Sequence, residues 1–195
     1  MMDMDCYILS PSEDLHDKAA QHITKKSRSL TLPNRASISF LLLGNGISMI
    51  FTGDAPETEI IAGLDALDPA VKSRITIKHN NEERLHVEYM DIPHHGSTEN
   101  TTEALFKKVT ASYYFWSSDG GEMYPSTMGT KVLKFLCKVH DSLGIAAHVI
   151  LSFPNFDGAE ENAKPNSTFV TIVHMQTTQK YCHFTLKKHQ KFNCV

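Results

Sequence analysis

The sequence predicts an α+β fold, and three observations carry that prediction. Apolar runs of strand length recur along the chain, several of them partly alternating with polar residues. Two of these runs, 36–43 and 47–52, flank Gly44-Asn45-Gly46, a tight-turn signal that makes them the clearest hairpin. Stretches of helical periodicity at 56–67 and 127–139 lie between the runs.

Each element has a local reason. Cys6-Tyr7-Ile8-Leu9 reads as a short strand stopped by Ser10-Pro11, and Ser12 with Glu13 and Asp14 reads as the capped, acidic start of a short helix. Residues 24–33 are polar and basic and read as a loop ending at Pro33. Pro56 is expected at the first position of the 56–67 helix, with Ile60, Ile61, Leu64 and Leu67 as its apolar stripe. Ile75-Thr76-Ile77 reads as a strand, and Asn80 to Glu83 as a loop. Residues 85–90 form a partly alternating strand. Asn100 to Glu103 reads as a cap for a helix over 101–109, with Leu105, Phe106 and Val109 inward. Tyr113-Tyr114-Phe115-Trp116 is an aromatic strand. It has the composition of a base-stacking platform, but such runs are more often buried strands, and core is the favoured reading. Val132, Leu133, Phe135, Leu136 and Val139 are the core positions of the 127–139 helix. A strand follows at 149–153, then a loop at 154–166, then a closing hairpin of 168–175 and 181–186. Residues 187–195 read as a frayed polar tail. The whole chain is expected to form a single domain.

The chemistry concentrates in Asp91-Ile92-Pro93-His94-His95-Gly96-Ser97. Pro93 stops the preceding strand and Gly96 permits a sharp turn, so two imidazoles sit at a strand's C-terminal end. Neutral imidazole is the commonest protein ligand for zinc, although two adjacent loop histidines taken alone more often face solvent. A second apolar strand ends in Thr52-Gly53-Asp54. Asp54 projects there either as a partner for the histidines or as the cap of the next helix. The other histidines are scattered, and each is read as a surface or satisfied core residue. His174 is the one that lies on a late strand within potential reach of the site.

In order, Asn34-Arg35-Ala36-Ser37, Phe51-Thr52-Gly53-Asp54, Ile92-Pro93-His94-His95-Gly96-Ser97 and Trp116-Ser117-Ser118-Asp119-Gly120 resemble the C-terminal half of a metallo-β-lactamase-fold hydrolase. The chain is most similar to the metallo-β-lactamase-like domains of bacterial competence proteins, over about residues 30–130. That resemblance implies an αββα-type fold truncated to one half, with a mixed sheet and helices packed on one side. It also implies metal-dependent hydrolysis of a phosphodiester, ester or lactam, with zinc or manganese lowering the pKa of an attacking water. Carried over by motif, Asp54 corresponds to the bridging aspartate and the His94/His95 pair to the late histidine ligand. Asn34, Ser97 and Ser117 correspond to supports of the strand and turn geometry. Two departures matter. The family's His-x-His-x-Asp-His segment is absent, and its His-Pro is here Tyr124-Pro125. Any metal is therefore expected to bind weakly or not at all in this chain alone.

Three readings stay open: a metallohydrolase half completed by a further segment or another chain, a non-catalytic interaction module of the same fold, or an unrelated α/β protein. One sheet with one helical layer leaves an apolar inner face. Either homodimerisation or partial covering by the N-terminal segment and the closing hairpin is expected there. The net charge of −3 does not indicate nucleic acid, and the clusters at Lys25-Lys26-Ser27-Arg28 and Lys187-Lys188 read as solvated. The four cysteines form no Cys-x-x-Cys pair, and Cys137 reads as a buried small hydrophobe. The first residues are acidic and no run approaches the ~20 apolar residues of a membrane helix, so a cytoplasmic, reducing setting is expected.

Overall fold

A run of neighbouring parallel strands decides the architecture. The computed structural model describes residues 4–24, 34–98, 100–117, 126–152, 167–178, 181–186 and 191–193, with side chains over 4–21, 34–98, 100–117, 131–152 and 167–173. The strands are β1 (Asp5–Ser10), β2 (Ser39–Gly44), β3 (Ile47–Phe51), β4 (Thr76–His79), β5 (Glu82–Asp91), β6 (Val109–Trp116), β7 (Ala147–Leu151), β8 (Val170–Thr178), β9 (Tyr181–Leu186) and β10 (Lys191–Asn193). The helices are α1 (Glu13–Thr24), α2 (Glu57–Ala66), α3 (Pro69–Ser73), α4 (Glu103–Lys108) and α5 (Ser126–Leu143).

All ten strands belong to one mixed sheet of order β1-β2-β3-β5-β6-β7-β8-β9-β10, with β4 paired to β5. β3, β5, β6, β7 and β8 run parallel, each beside the next, and antiparallel strands extend both edges. Crossovers between parallel strands are right-handed. Because the strands advance steadily in one direction, right-handed crossovers place the helices on one face. Helices α2, α4 and α5 pack against one another there.

The core lies between that helical layer and the sheet. Leu41, Ile50, Met90, Tyr114 and Val149 occupy successive register positions and are all buried, as are Ile60, Leu64, Leu105, Phe106, Val132, Leu133 and Leu136 from the helices. A buried polar chain crosses this core. His140 donates from Nδ1 to the Ile145 carbonyl at 2.8 Å and accepts at Nε2 from the Tyr114 hydroxyl at 3.0 Å. That hydroxyl accepts from the Ala111 backbone N–H at 2.9 Å. The side-chain polar atoms of Tyr114 and His140 are thus matched, and burial holds the His140 imidazole below its ordinary pKa. Cys137 is buried as expected, and its thiol is pushed up to about 12 by desolvation.

The opposite face carries a second row. Met49, Tyr89, Tyr113 and His148 are register partners, as are Phe40 with Phe51 and Phe115 with Ile150. All of these are partly exposed. Their rings stack: Phe40 on Phe51 at 4.9 Å, Tyr89 on Tyr113 at 5.3 Å, and Tyr113 on His148 at 5.1 Å. The aromatic strand is thus split. Tyr114 and Trp116 are buried, while Tyr113 and Phe115 lie on the open face.

Several expectations change. The segment 34–37 is a helical turn closed by Ser37 N–H to Asn34 O at 3.0 Å, so β2 begins at Ser39 rather than at 36. Pro56 occupies the cap position of α2 and the helix begins at Glu57. Helix α3 had no counterpart in the sequence reading. Asp68 caps it by accepting from Ala70 N–H at 2.7 Å. Glu82 and Glu83 belong to β5, because Asn80 and Asn81 alone form the turn, both at positive φ. Within the capping region expected at 100–103, Thr102 is the cap of α4, which begins at Glu103, and Val109 already begins β6. The tail expected to fray contains β10, paired to β9. Strand β1 and the β8–β9 hairpin widen the sheet at its edges instead of lying over the open face. Thr24, the first residue of the loop expected at 24–33, still belongs to α1; the rest of that loop, the loop expected at 154–166 and the positions Ser118 to Pro125 lie outside the described residues. Among the described residues no helix is long and apolar enough to cross a membrane.

Candidate functional site

The parallel strands β3, β5 and β6 end side by side, and their C-terminal ends carry the residues singled out in the sequence. Asp91, the last residue of β5, fixes the β3 end: its Oδ1 accepts from the Thr52 backbone N–H at 2.6 Å and from the Thr52 hydroxyl at 2.9 Å. Burial lifts the Asp91 carboxyl above its ordinary pKa, and the bonds from Thr52 pull the other way. Beyond this clamp, His94 N–H donates to Gly53 O at 2.9 Å and Ile92 N–H to Phe115 O at 2.8 Å, so the turns after β3, β5 and β6 are tied together.

The turn itself is unusual. His94, His95 and Gly96 have φ of 46°, 54° and 84°, three successive residues in the left-handed region. Such a conformation costs each histidine roughly 1–2 kcal/mol and persists only where surrounding contacts impose it. Those contacts are present. Trp116 Nε1–H donates to His95 O at 2.9 Å, and Ser97 N–H donates to His94 O at 3.0 Å. Gly96 lies against the Trp116 indole, too close for any side chain.

The two histidines are held differently. His95 donates from Nδ1 to the Ser117 carbonyl at 2.8 Å, which in the neutral ring puts the lone pair on Nε2. That Nε2 is 4.0 Å from Asp54 Oδ1, and both side chains are nearly half exposed. His94 accepts at Nδ1 from the Asn100 side-chain N–H at 2.7 Å, so its ring proton sits on Nε2. Coordination through His94 Nε2 requires Asn100 to turn its carbonyl oxygen toward Nδ1. The rings are 6.3 Å apart, centroid to centroid.

The supporting residues take clear positions. Asp54 N–H donates to the Ser37 hydroxyl at 3.0 Å, and Ser37 is itself placed by Asn34 O. Helix α2 has no side-chain cap, so Asp54 does not serve it as one. Ser97 is buried and its carbonyl accepts from Asn100 N–H at 3.1 Å. Ser117 contributes its carbonyl rather than its hydroxyl to His95. His174 lies on β8 opposite Leu151, and its side chain is outside the described residues. The sequence reading missed the hub role of Asn100, which bonds His94 and also donates to Asp54 O at 3.4 Å. It also missed the Asp91–Thr52 clamp. The only signal for Asn100 was its polar position after the turn, which equally suits a helix cap.

Asp54 and His95 suit two ligands of one divalent ion. Donors on a tetrahedral zinc stand about 3.3 Å apart at ordinary bond lengths, so 4.0 Å closes with a small side-chain rotation. Among the described residues, however, no three His, Cys, Asp or Glu side chains gather into a metal-binding group. A hydrolytic zinc keeps three protein ligands. Asp54 and His95 are two of the three such a site needs. Comparison with protein-family models, with curated proteins and with solved structures finds no match to this chain.

Proposed function

We propose that this chain is one half of a metallo-β-lactamase-like, metal-dependent hydrolase, with a two-ligand site at Asp54 and His95. The observation that carries this reading is the 4.0 Å approach of His95 Nε2 to Asp54 Oδ1 at adjacent strand ends, with His95 oriented by Ser117. Outer partners of this kind fix the tautomer of a metal-ligating histidine. A bound zinc or manganese would lower the pKa of a water and polarise the bond under attack. The chain's own residues do the rest: Asp54 and His95 hold, while Asn34, Ser37, Ser97, Ser117 and Asn100 position. The substrate class is a phosphodiester or ester, in a cytoplasmic setting, and the remaining ligands come from outside the described residues. Titration with zinc and manganese, read by calorimetry, tests the assignment. Binding through these two ligands alone is expected to be weak, and Asp54→Ala and His95→Ala are each expected to reduce it below what calorimetry detects. His94→Ala should cost less. Undiminished binding in His95→Ala overturns the site.

A second reading, a non-catalytic interaction module, is favoured by the aromatic row on the open face. A sheet buries an apolar face against another layer, and a second copy of the chain supplies one of equal size and chemistry. Sedimentation is expected to give a dimer that Tyr113→Asp dissociates. A monomeric wild type that binds no hydrophobic-surface dye removes this reading.

A further inference from the structure

Far from the strand ends, at the N-terminal end of β5, lies a cavity of about 780 Å³. Helix α3 supplies Lys72 and Ser73, the β4–β5 hairpin supplies Lys78, Glu83 and Arg84, and the end of α4 supplies Lys107 and Lys108. Five cations and one carboxylate line it, in a chain whose net charge is −3. A concave site lined by one sign of charge focuses the field and raises the local concentration of counter-ions.

Four of the cations are partnered, and the partners are weak. Arg84 pairs with Glu82 at 2.7 Å, Lys107 with Glu103 at 3.1 Å, and Lys108 with Asp65. Glu82 and Asp65 are more than half exposed, and none of the three carboxylates lines the cavity. Lys72 donates only to a backbone carbonyl, that of Asp65, at 2.6 Å. Pairs with exposed carboxylates such as Glu82 and Asp65 are worth about 0–1 kcal/mol, so a multiply charged anion competes readily for Arg84 and Lys108, and Lys107 shares the less exposed Glu103 with Lys138. Pro69, Ile77 and Leu85 form an apolar wall beside the charges. The volume falls in the range of small-ligand sites, about 300–1,000 Å³.

We propose that this cavity binds an oligophosphate, free or carried by a nucleotide. The cations take the phosphates, and the wall accommodates a nucleoside when one is attached. This site is independent of Asp54 and His95.

Calorimetry at low ionic strength with inorganic tripolyphosphate and with ATP tests the proposal. Both are expected to bind, and added salt should weaken both. The double variant Lys78→Glu, Lys107→Glu changes two exposed cations and should weaken binding by at least about tenfold. The double variant Lys18→Glu, Lys131→Glu makes the same charge change away from the cavity and should shift affinity by no more than about twofold. ATP binding more tightly than tripolyphosphate assigns the apolar wall to the nucleoside. Equal affinities assign the site to phosphate alone, and either result supports the proposal. Absence of tripolyphosphate binding by wild type overturns it, as does an equal loss in the two double variants.

Discussion

Gly96→Ala is expected to lower stability by about 2–4 kcal/mol. Two independent costs add. Gly96 has φ +84°, a region closed to alanine without strain of about 1 kcal/mol. A Cβ there also meets Trp116 Cζ2 at 2.4 Å and Cε2 at 2.7 Å. The indole is buried, so it yields only by repacking, at roughly 1–3 kcal/mol. Moving the ring also stretches its bond to His95 O, so the loss reaches the site. For a chain of this length the melting temperature should fall by roughly 4–16 °C. In a double-mutant cycle, Trp116→Phe should recover part of the loss, because the clashing atoms belong to the larger ring. A melting temperature within about 2 °C of wild type would show that the turn is not wedged as described.

Gly63→Ala is expected to destabilise by a similar amount, against the sign of helix propensity. Gly63 lies inside α2, where alanine is ordinarily better by about 1 kcal/mol. Here a Cβ falls 2.1 Å from Leu9 O and 2.6 Å from Leu9 C and Cα. Those are backbone atoms, which no rotamer change removes. Strand β1 changes register between Ile8 and Ser10, and the Leu9 carbonyl at that irregularity faces the helix. Sterics therefore outweigh propensity, and α2 must separate from β1 by about 1 Å to restore a normal contact. Leu9, Ile60 and Leu64 are all buried, so that separation loosens a shared core. A chemical denaturation curve for the variant reads the net effect. An increase in stability would mean that β1, an edge strand, gives way at little cost.

Most helices and strands were legible because their causes are local. The apolar run through 40–43, the Asn45-Gly46 turn and the 3.6-residue stripe of α5 need only neighbouring residues. Helix α3 was not legible, since five residues carry too little periodicity and its start depends on the Asp68 cap. Strand β10 was missed for a related reason: a three-residue strand exists only through pairing with β9. At the site, the residue types were legible and their roles were not. Asp54, His94 and His95 were identified together, but only the pairing of β3 with β5 brings Asp54 to His95. The distinction between the imidazoles rests on Ser117 O and Asn100, 22 and 6 positions away, with opposite effects on the ring proton.

The sequence by itself determined most of the secondary elements and the presence of a carboxylate and two histidines at strand ends, because each follows from local propensity and patterning. Tertiary structure alone decided that the parallel strands advance in one direction, and so that the helices share a face and the other carries a partly exposed aromatic row. It also decided the burial of Asp91 against Thr52 and the left-handed path through His94, His95 and Gly96, because contacts between residues distant in the chain override what each segment would adopt alone.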